Sequence, residues 1–267
     1  MGNGLYSGLD NGLHNGLYNG VDNGLHNGLY PSEASDNFNF TDKLVAYYPF
    51  NDNANDLKNR NNGTVIGSPS YRSGVSVKAI DLENNSNLNH IDFPSSTDLS
   101  FTDNTNDIPF SFSFWINTAA ISGTGNWLIS KRNATADCEY QIVLVSSVLY
   151  VQLTDPTFSN YLSVYITAPS LSTWNHVVIT YNANKKSSGI LIYLNGVKQV
   201  TTSDGLGNYT GMKIGNYIMR IGNTPWAADQ ARKHRGLIDE LAIWKDRVLT
   251  PIEIAQLYNS RQGRFLN

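Results

Sequence analysis

Cysteine is almost missing from this chain: 267 residues carry one, Cys138. That count excludes an internal disulfide and any multi-cysteine metal centre. Charge is scarce as well, with 15% Asp, Glu, Lys and Arg and a formal net charge of −3. No electrostatic case for nucleic acid or an anionic membrane follows from it. Glutamate is rarer still, since Glu33, Glu83, Glu139, Glu240 and Glu253 are the whole set. No apolar run is long enough to span a bilayer, and residues 1–30 lack the basic and apolar segments of a secretory signal. What is present is 40% apolar residues, enough for a buried core, under a surface made polar by Asn, Ser and Thr. The length suits one large all-β domain or two small domains.

The first thirty residues are a repeat. From Asn3 the chain reads NGLY SGLD NGLH NGLY NGVD NGLH NGLY, seven tetrapeptides ending before Pro31. The fourth position cycles through Tyr, Asp and His, so a 12-residue unit overlies the 4-residue one. Period four excludes a collagen triple helix, which needs glycine at every third position. A helix would carry Gly at every fourth position, each costing ~1 kcal/mol relative to Ala. Extended backbone would place Asn and Leu on one face and Gly with Tyr, Asp or His on the other. Two readings stand: a flexible tether, or a segment that orders by pairing with other copies. In the second, Leu5, Tyr6, Leu13, Leu17, Tyr18, Leu25, Leu29 and Tyr30 are the assembly residues of a homo-oligomer. Such a tail loses of order 1–2 kcal/mol of backbone entropy per residue on ordering, which its few apolar side chains offset only against a partner.

Residues 31–42 read as a polar hinge, and from Lys43 to the end at 267 the texture is that of one all-β domain. Short apolar or alternating runs are broken by Gly, Asn, Asp and Ser clusters. Strands are expected at 44–50, 78–82, 110–117, 127–132, 139–145, 149–153, 174–181, 189–195 and 236–244. Asn195-Gly196 between LIYL and VKQV is the strongest hairpin signal. One helix is specified near the C-terminus: Thr250 as N-cap, Pro251 at the first helical position and Glu253 closing a capping box.

Five segments in order carry a family resemblance: LVAYYPFNDNANDLKNRNNGTVIG, FSFSFWIN, WNHVVITYN, ILIYLNGVKQ and GLIDELAIWKDRVLTPIEIAQLY. Over residues 43–260 the chain resembles the laminin-G-like, or concanavalin-A-like lectin/glucanase, domains. The resemblance implies a two-sheet antiparallel jelly-roll sandwich with one short C-terminal helix. It does not choose a function, because this fold hosts lectins, adhesion modules, glycosidase accessories and virion parts. Trp115, Trp174 and Trp244 fall where the family has structural aromatics, and His176 reads as a hydrogen-bonded structural histidine.

The glucanase branch uses a Glu-x-Asp-x-x-Glu strand, which is missing here. Asp239 and Glu240 are adjacent, so in a regular strand they point to opposite faces and cannot flank one glycosidic bond. No phosphate-binding Gly loop, HExxH or Gly-x-Ser-x-Gly elbow is present. A non-enzymatic protein is expected. The family's calcium site would map to Asp56, Asn62 or the Gly63 carbonyl, and Asp239, oxygen donors suited to Ca²⁺. The competing reading is that Asp56 and Asp239 cap turns and accept backbone hydrogen bonds. For glycan binding the candidates are Trp226 with Asn223, Asp229, Gln230 and Arg232 in one polar loop, and Trp127 after the Gly-rich SGTGN. The expectation is a glycan-binding or adhesion head, extracellular or on a virion surface, with an architectural subunit polymerised through the tail as the alternative.

Overall fold

The computed structural model describes residues 39–83, 89–133, 137–156, 159–225 and 232–259. The chain divides into two units, residues 1–39 and 40–267. The repeat, with the residues expected to mediate assembly, lies outside the described residues. In chain order the second unit carries β1 (Leu44–Tyr48), β2 (Thr64–Ile66), β3 (Ser70–Ser73), β4 (Lys78–Asp81), β5 (His90–Phe93), β6 (Phe110–Thr118), β7 (Asn126–Arg132) and β8 (Cys138–Val145). It continues with β9 (Val148–Thr154), β10 (Tyr161–Thr167), β11 (Asn175–Tyr181), β12 (Ile190–Leu194), β13 (Val197–Lys198), β14 (Thr202–Ser203), β15 (Ile218–Ile221), β16 (Gly236–Lys245) and α1 (Pro251–Tyr258).

These strands form two antiparallel sheets. The first runs β13-β12-β11-β6-β16-β4-β3, with β1 also paired to β16. The second runs β14-β10-β9-β8-β7-β15-β5-β2. Alternation decides which residues meet between them. Phe110, Phe112, Phe114 and Ile116 of β6 face the core from the first sheet. Tyr140, Ile142 and Leu144 of β8 answer from the second, followed by Leu149, Val151 and Leu153 of β9 and Leu162, Val164 and Ile166 of β10. The aromatic rings interlock, with Phe112 and Tyr140 centroids 5.6 Å apart and Phe101 and Phe110 4.4 Å apart. Each such fully buried side chain contributes ~1.5–3 kcal/mol relative to exposure.

All nine expected strands are present within a few residues. Asn195 (φ 53°) and Gly196 (φ 78°) make the two left-handed positions of the β12–β13 hairpin, where only Asn-Gly-type pairs sit without strain. The Thr250 hydroxyl accepts from the Glu253 amide at 3.3 Å, and the Glu253 carboxylate accepts from the Thr250 amide at 2.7 Å, so the capping box is complete. The sandwich begins slightly earlier than the hinge boundary at residue 42. Phe40 is buried, and its carbonyl accepts from the Trp244 indole N–H at 2.7 Å.

The helix buries Ile254 and Leu257. Its last residue, Tyr258, stacks on Trp115 (5.8 Å, 24°) and on His176 (6.0 Å, 13°), covering the outward side of β6 and β11. The first sheet is therefore covered on both faces here, and Trp115, Trp244 and His176 are structural.

Candidate functional site

The second sheet leaves its outward side chains in two parallel rows. One row is polar and follows direct cross-strand partners: Thr64, Asp92, Arg220, Ser130, Gln141, Gln152 and Ser163. The adjacent row is aromatic and apolar: Trp127, Val143, Tyr150 and Tyr165, ending at Thr202. Directly opposed residues share a face at about 5 Å, which makes each row continuous. A cavity of about 220 Å³ lies over their junction, lined by Thr124, Trp127, Gln141, Val143, Val145, Tyr150, Gln152 and Asp204.

Local backbone features aim Trp127 outward. A bulge between Trp127 and Ile129 sends both Leu128 and Ile129 into the core and leaves the indole on the outer face. Gly125 sits at φ +99°, and a Cβ there would lie 2.9 Å from the Trp127 ring. Glycine is thus required both for the turn and for the loop's approach to the indole. The Arg232 guanidinium lies 5.9 Å from the Trp127 ring centroid, and the Arg232 carbonyl accepts from the Trp127 amide at 3.1 Å.

The polar side chains form a directed chain. Gln141 Oε1 accepts from Trp127 Nε1–H at 3.1 Å and from Arg132 Nη1–H at 3.2 Å. With its oxygen so used, Gln141 donates through Nε2 to Gln152 Oε1. Tyr150 and Tyr165 pack at 4.9 Å and 47°, and the Tyr150 hydroxyl donates to Asp204 at 3.4 Å. Burial, then the Asp204 charge, push the Tyr150 phenol up, so it remains a donor. At the far end of the polar row Arg220 grips Asp92 with Nε and Nη2 at 2.5 and 2.8 Å. Burial alone would raise Asp92, but bonds from His90 and Arg220 and their charges hold it down at about 2.

Of the residues expected to bind glycan, Trp127 reaches this site and Arg232 stands beside it. Trp127 does so from a strand and not from a loop. Asn223 is fully buried and its Oδ1 accepts from the Thr224 amide at 2.8 Å, so it shapes the turn after β15 and offers no surface to a ligand. Trp226, Asp229 and Gln230 lie outside the described residues. Gln141, Tyr150, Gln152, Tyr165 and Asp204 were missed. For the first four the signal was the alternation of EYQIVLV, LYVQL and YLSVYIT, which places polar or aromatic residues opposite the core face; Asp204 lies outside these segments.

The calcium donors do not fit a cation. Asp56 Oδ1 accepts from the Tyr47 and Lys58 amides at 3.0 and 2.9 Å, and Oδ2 from the Arg60 and Asn61 amides at 3.2 and 3.0 Å. Asn62 Oδ1 accepts from the Asp56 amide at 2.9 Å, and Gly63 donates its amide to the Ala54 carbonyl at 2.9 Å. Asp239 is engaged elsewhere, accepting from the Val75 amide at 2.8 Å and the Glu240 amide at 2.9 Å. Among the described residues no cluster of three acidic, His or Cys side chains is placed to hold a metal.

Asp239 and Glu240 do not take opposite faces. β16 bulges between Asp239 and Ala242 against Trp115 and Ser113, and Glu240 sits at φ 52°. Core-facing Ile238 and Leu241 bracket them, so both carboxyls turn away from the core. Glu240 accepts from the Tyr47 hydroxyl. Burial raises Asp239 to about 7 and, with the Asp239 charge added, Glu240 to about 8. Both side chains are buried, so neither faces a substrate-sized space. Ser113 Oγ lies 2.8 Å from His176 Nε2, but burial holds His176 neutral at about 3 and Tyr258 stacks on its ring. Burial likewise pushes the Cys138 thiol up to about 12, which leaves no reactive thiolate.

The family model described as the concanavalin A-like lectin/glucanases superfamily matches residues 85–255, more than half of the chain. The chain belongs to that superfamily. No curated protein sequence matches it. Solved structures share the fold at low identity. Domain 4 of AbnA, a GH43 extracellular arabinanase from Geobacillus stearothermophilus in complex with arabinotriose, is 20% identical with TM-score 0.55, over 80% of this chain and 97% of that one. The binding domain of Paraclostridial Mosquitocidal Protein 1 is 22% identical with TM-score 0.57, over 82% and 52%. The binding domain of botulinum neurotoxin DC in complex with SialylT is 16% identical with TM-score 0.59, over 82% and 52%. This chain thus spans about half the length of those two toxin binding domains. Among the described residues no helix is long and apolar enough to cross a membrane.

Proposed function

We propose that this protein is a non-enzymatic carbohydrate-binding domain whose sugar site is the outer face of the second sheet. The observation that carries the reading is the junction of the two rows, where the Trp127 and Tyr150 rings border the Gln141–Gln152 amide chain over one cavity. Sugars present C–H faces that stack on aromatic rings and hydroxyls that need donors and acceptors held in fixed positions. The arabinotriose-bound and SialylT-bound neighbours support a glycan ligand for this fold. A non-enzymatic role is supported by the location of the paired carboxyls on the first sheet, buried and away from this face. Extracellular or surface-bound carbohydrate is the partner this reading calls for. The direct test is titration of the protein and its Trp127→Ala variant with a panel of oligosaccharides. Saturable binding that the substitution removes supports the reading, and absence of binding to every member rejects it.

The repeat supports a second element of the proposal, that residues 1–30 assemble copies of the chain and present several heads together. Its regular spacing lets identical tails pair in register, and multivalent display raises avidity without new contacts. Deleting residues 1–30 is expected to leave a folded head with an unchanged β-type spectrum and no higher-order species. The same oligomer after deletion would place the contacts on the sandwich.

A further inference from the structure

The direction of the hydrogen-bond chain sets what the sugar site can accept. Gln141 Oε1 receives two donors, so its Nε2 points at Gln152 Oε1, and the Gln152 amide is fixed with its –NH₂ as the free end. That –NH₂ has no other partner among the described residues, and Gln152 lines the cavity. Asp204 lines the same cavity and takes one hydrogen bond from Tyr150, which leaves carboxylate lone pairs available. It is joined to the sheet next to Gln152: the Asp204 amide donates to the Ser163 carbonyl at 3.0 Å, and Ser163 is the cross-strand partner of Gln152. Tyr150 stands two residues before Gln152 on the same face of β9. The cavity therefore offers a fixed donor, a fixed acceptor and an aromatic ring beside them. Its one charged lining residue is a carboxylate; Arg132, at the opposite end of β7 from Trp127, donates an N–H to Gln141 Oε1, Arg232 lies against the Trp127 ring, and neither is part of the lining.

We infer that this site selects neutral sugars bearing adjacent hydroxyls, and disfavours sialylated or uronic-acid glycans. One hydroxyl accepts from Gln152 and donates into the sugar's own network, and its neighbour donates to Asp204. A ligand carboxylate brought into the same cavity would meet the like charge of Asp204, which opposes binding. The inference rests on the sugar-binding reading above and refines it.

The test is calorimetric titration of the full chain with matched ligands: lactose against 3′-sialyllactose, methyl-esterified against free trigalacturonate, and arabinotriose. At least one neutral ligand should bind, and its acidic counterpart should bind at least tenfold more weakly. Asp204→Asn, at an exposed position where folding is not at risk, should narrow that gap several-fold by relieving the repulsion. Gln152→Glu, which replaces the donor by a second carboxylate, should weaken the neutral ligand by tenfold or more. Equal or tighter binding of the acidic member of a pair, still abolished by Trp127→Ala, would overturn the selectivity and leave the sugar site standing. An unchanged ratio in Asp204→Asn would also overturn it. Failure of all ligands, neutral and acidic, would reject the sugar-binding reading itself.

Discussion

The two sheets turn outward faces of opposite character, although both are built by the same two-residue alternation. On the first sheet the outward residues Trp115 and His176 lie under Tyr258 of α1, and Asp239 and Glu240 are buried beside Tyr47 and the 74–76 turn. On the second sheet Trp127, Tyr150 and Tyr165 remain partly exposed over planar amides, with no helix laid across them among the described residues. An aromatic residue on a strand thus becomes core or binding surface according to what covers it. The helix that covers one face is specified by Thr250, Pro251 and Glu253, a few residues outside either sheet.

The largest effect that would sharpen this contrast is on stability. Trp115→Ala should cost about 3–5 kcal/mol, because it empties a packed position between His176 and Tyr258. Trp127→Ala should cost about 1 kcal/mol or less, since its indole is only partly buried. Denaturant unfolding of both variants measures the difference, and equal costs would erase the distinction between the faces.

The next effect is on pH dependence. Burial raises Asp239 to about 7 and Glu240 to about 8. A carboxyl raised on folding contributes stability that is full below its unfolded value near 4 and is lost as pH rises through the folded value. Glu240→Gln removes that loss while keeping an acceptor for Tyr47. The variant should therefore gain on the order of 2–4 kcal/mol over the parent between pH 5 and pH 9. A constant difference across that range would place Glu240 in water. On the acid side Asp92, held at about 2, works the other way: its contribution is present above about 4 and is lost as pH falls towards 2.

Removing the cover is a smaller perturbation. Tyr258→Ala should cost roughly 1–2 kcal/mol and bring His176 up from about 3 towards the ordinary histidine range, because burial is the cause of its depression. Imidazole NMR titration reads this directly, and an unmoved His176 would mean that the sheet, not α1, desolvates it. The smallest expected effect is none. Chelation should leave the melting temperature unchanged, since the Asp56 lone pairs are already filled by four backbone amides. A drop on chelation, restored by calcium, would require a site elsewhere.

Much of the first sheet was legible in the sequence. β1, β6, β11, β12, β13 and β16 lie in the segments that carry the family resemblance, β4 was expected from its apolar run and β3 was not expected, while Asn195-Gly196 and Thr250-Pro251 mark the punctuation chemically. The second sheet was legible only in part. β2, β5 and β15 have three or four residues each, too short for periodicity to register. β10 shows clean alternation in YLSVYIT, yet its partly exposed Tyr161 and Tyr165 give no sign of facing a site until β9 is placed beside them. Asp204 was not legible because it joins the cavity through the edge strand β14, a two-residue element. Adjacency of Asp239 and Glu240 misled for a definite reason, since a bulge cancels the alternation that adjacency implies. Asp56 and Asp239 accept backbone amides, as the turn-capping alternative to a calcium site expects, although no side-chain pattern encodes which backbone positions supply the four amides around Asp56.

The outer face of the second sheet, and not that of the first, is proposed to bind carbohydrate. The most direct measurement is oligosaccharide affinity of the full chain against Trp127→Ala/Tyr150→Ala and against Tyr258→Ala, each confirmed folded by its spectrum. The first variant is expected to lose binding by at least a hundredfold, while Tyr258→Ala binds within twofold of the parent. Retained affinity in Trp127→Ala/Tyr150→Ala, or its loss in Tyr258→Ala alone, would contradict it.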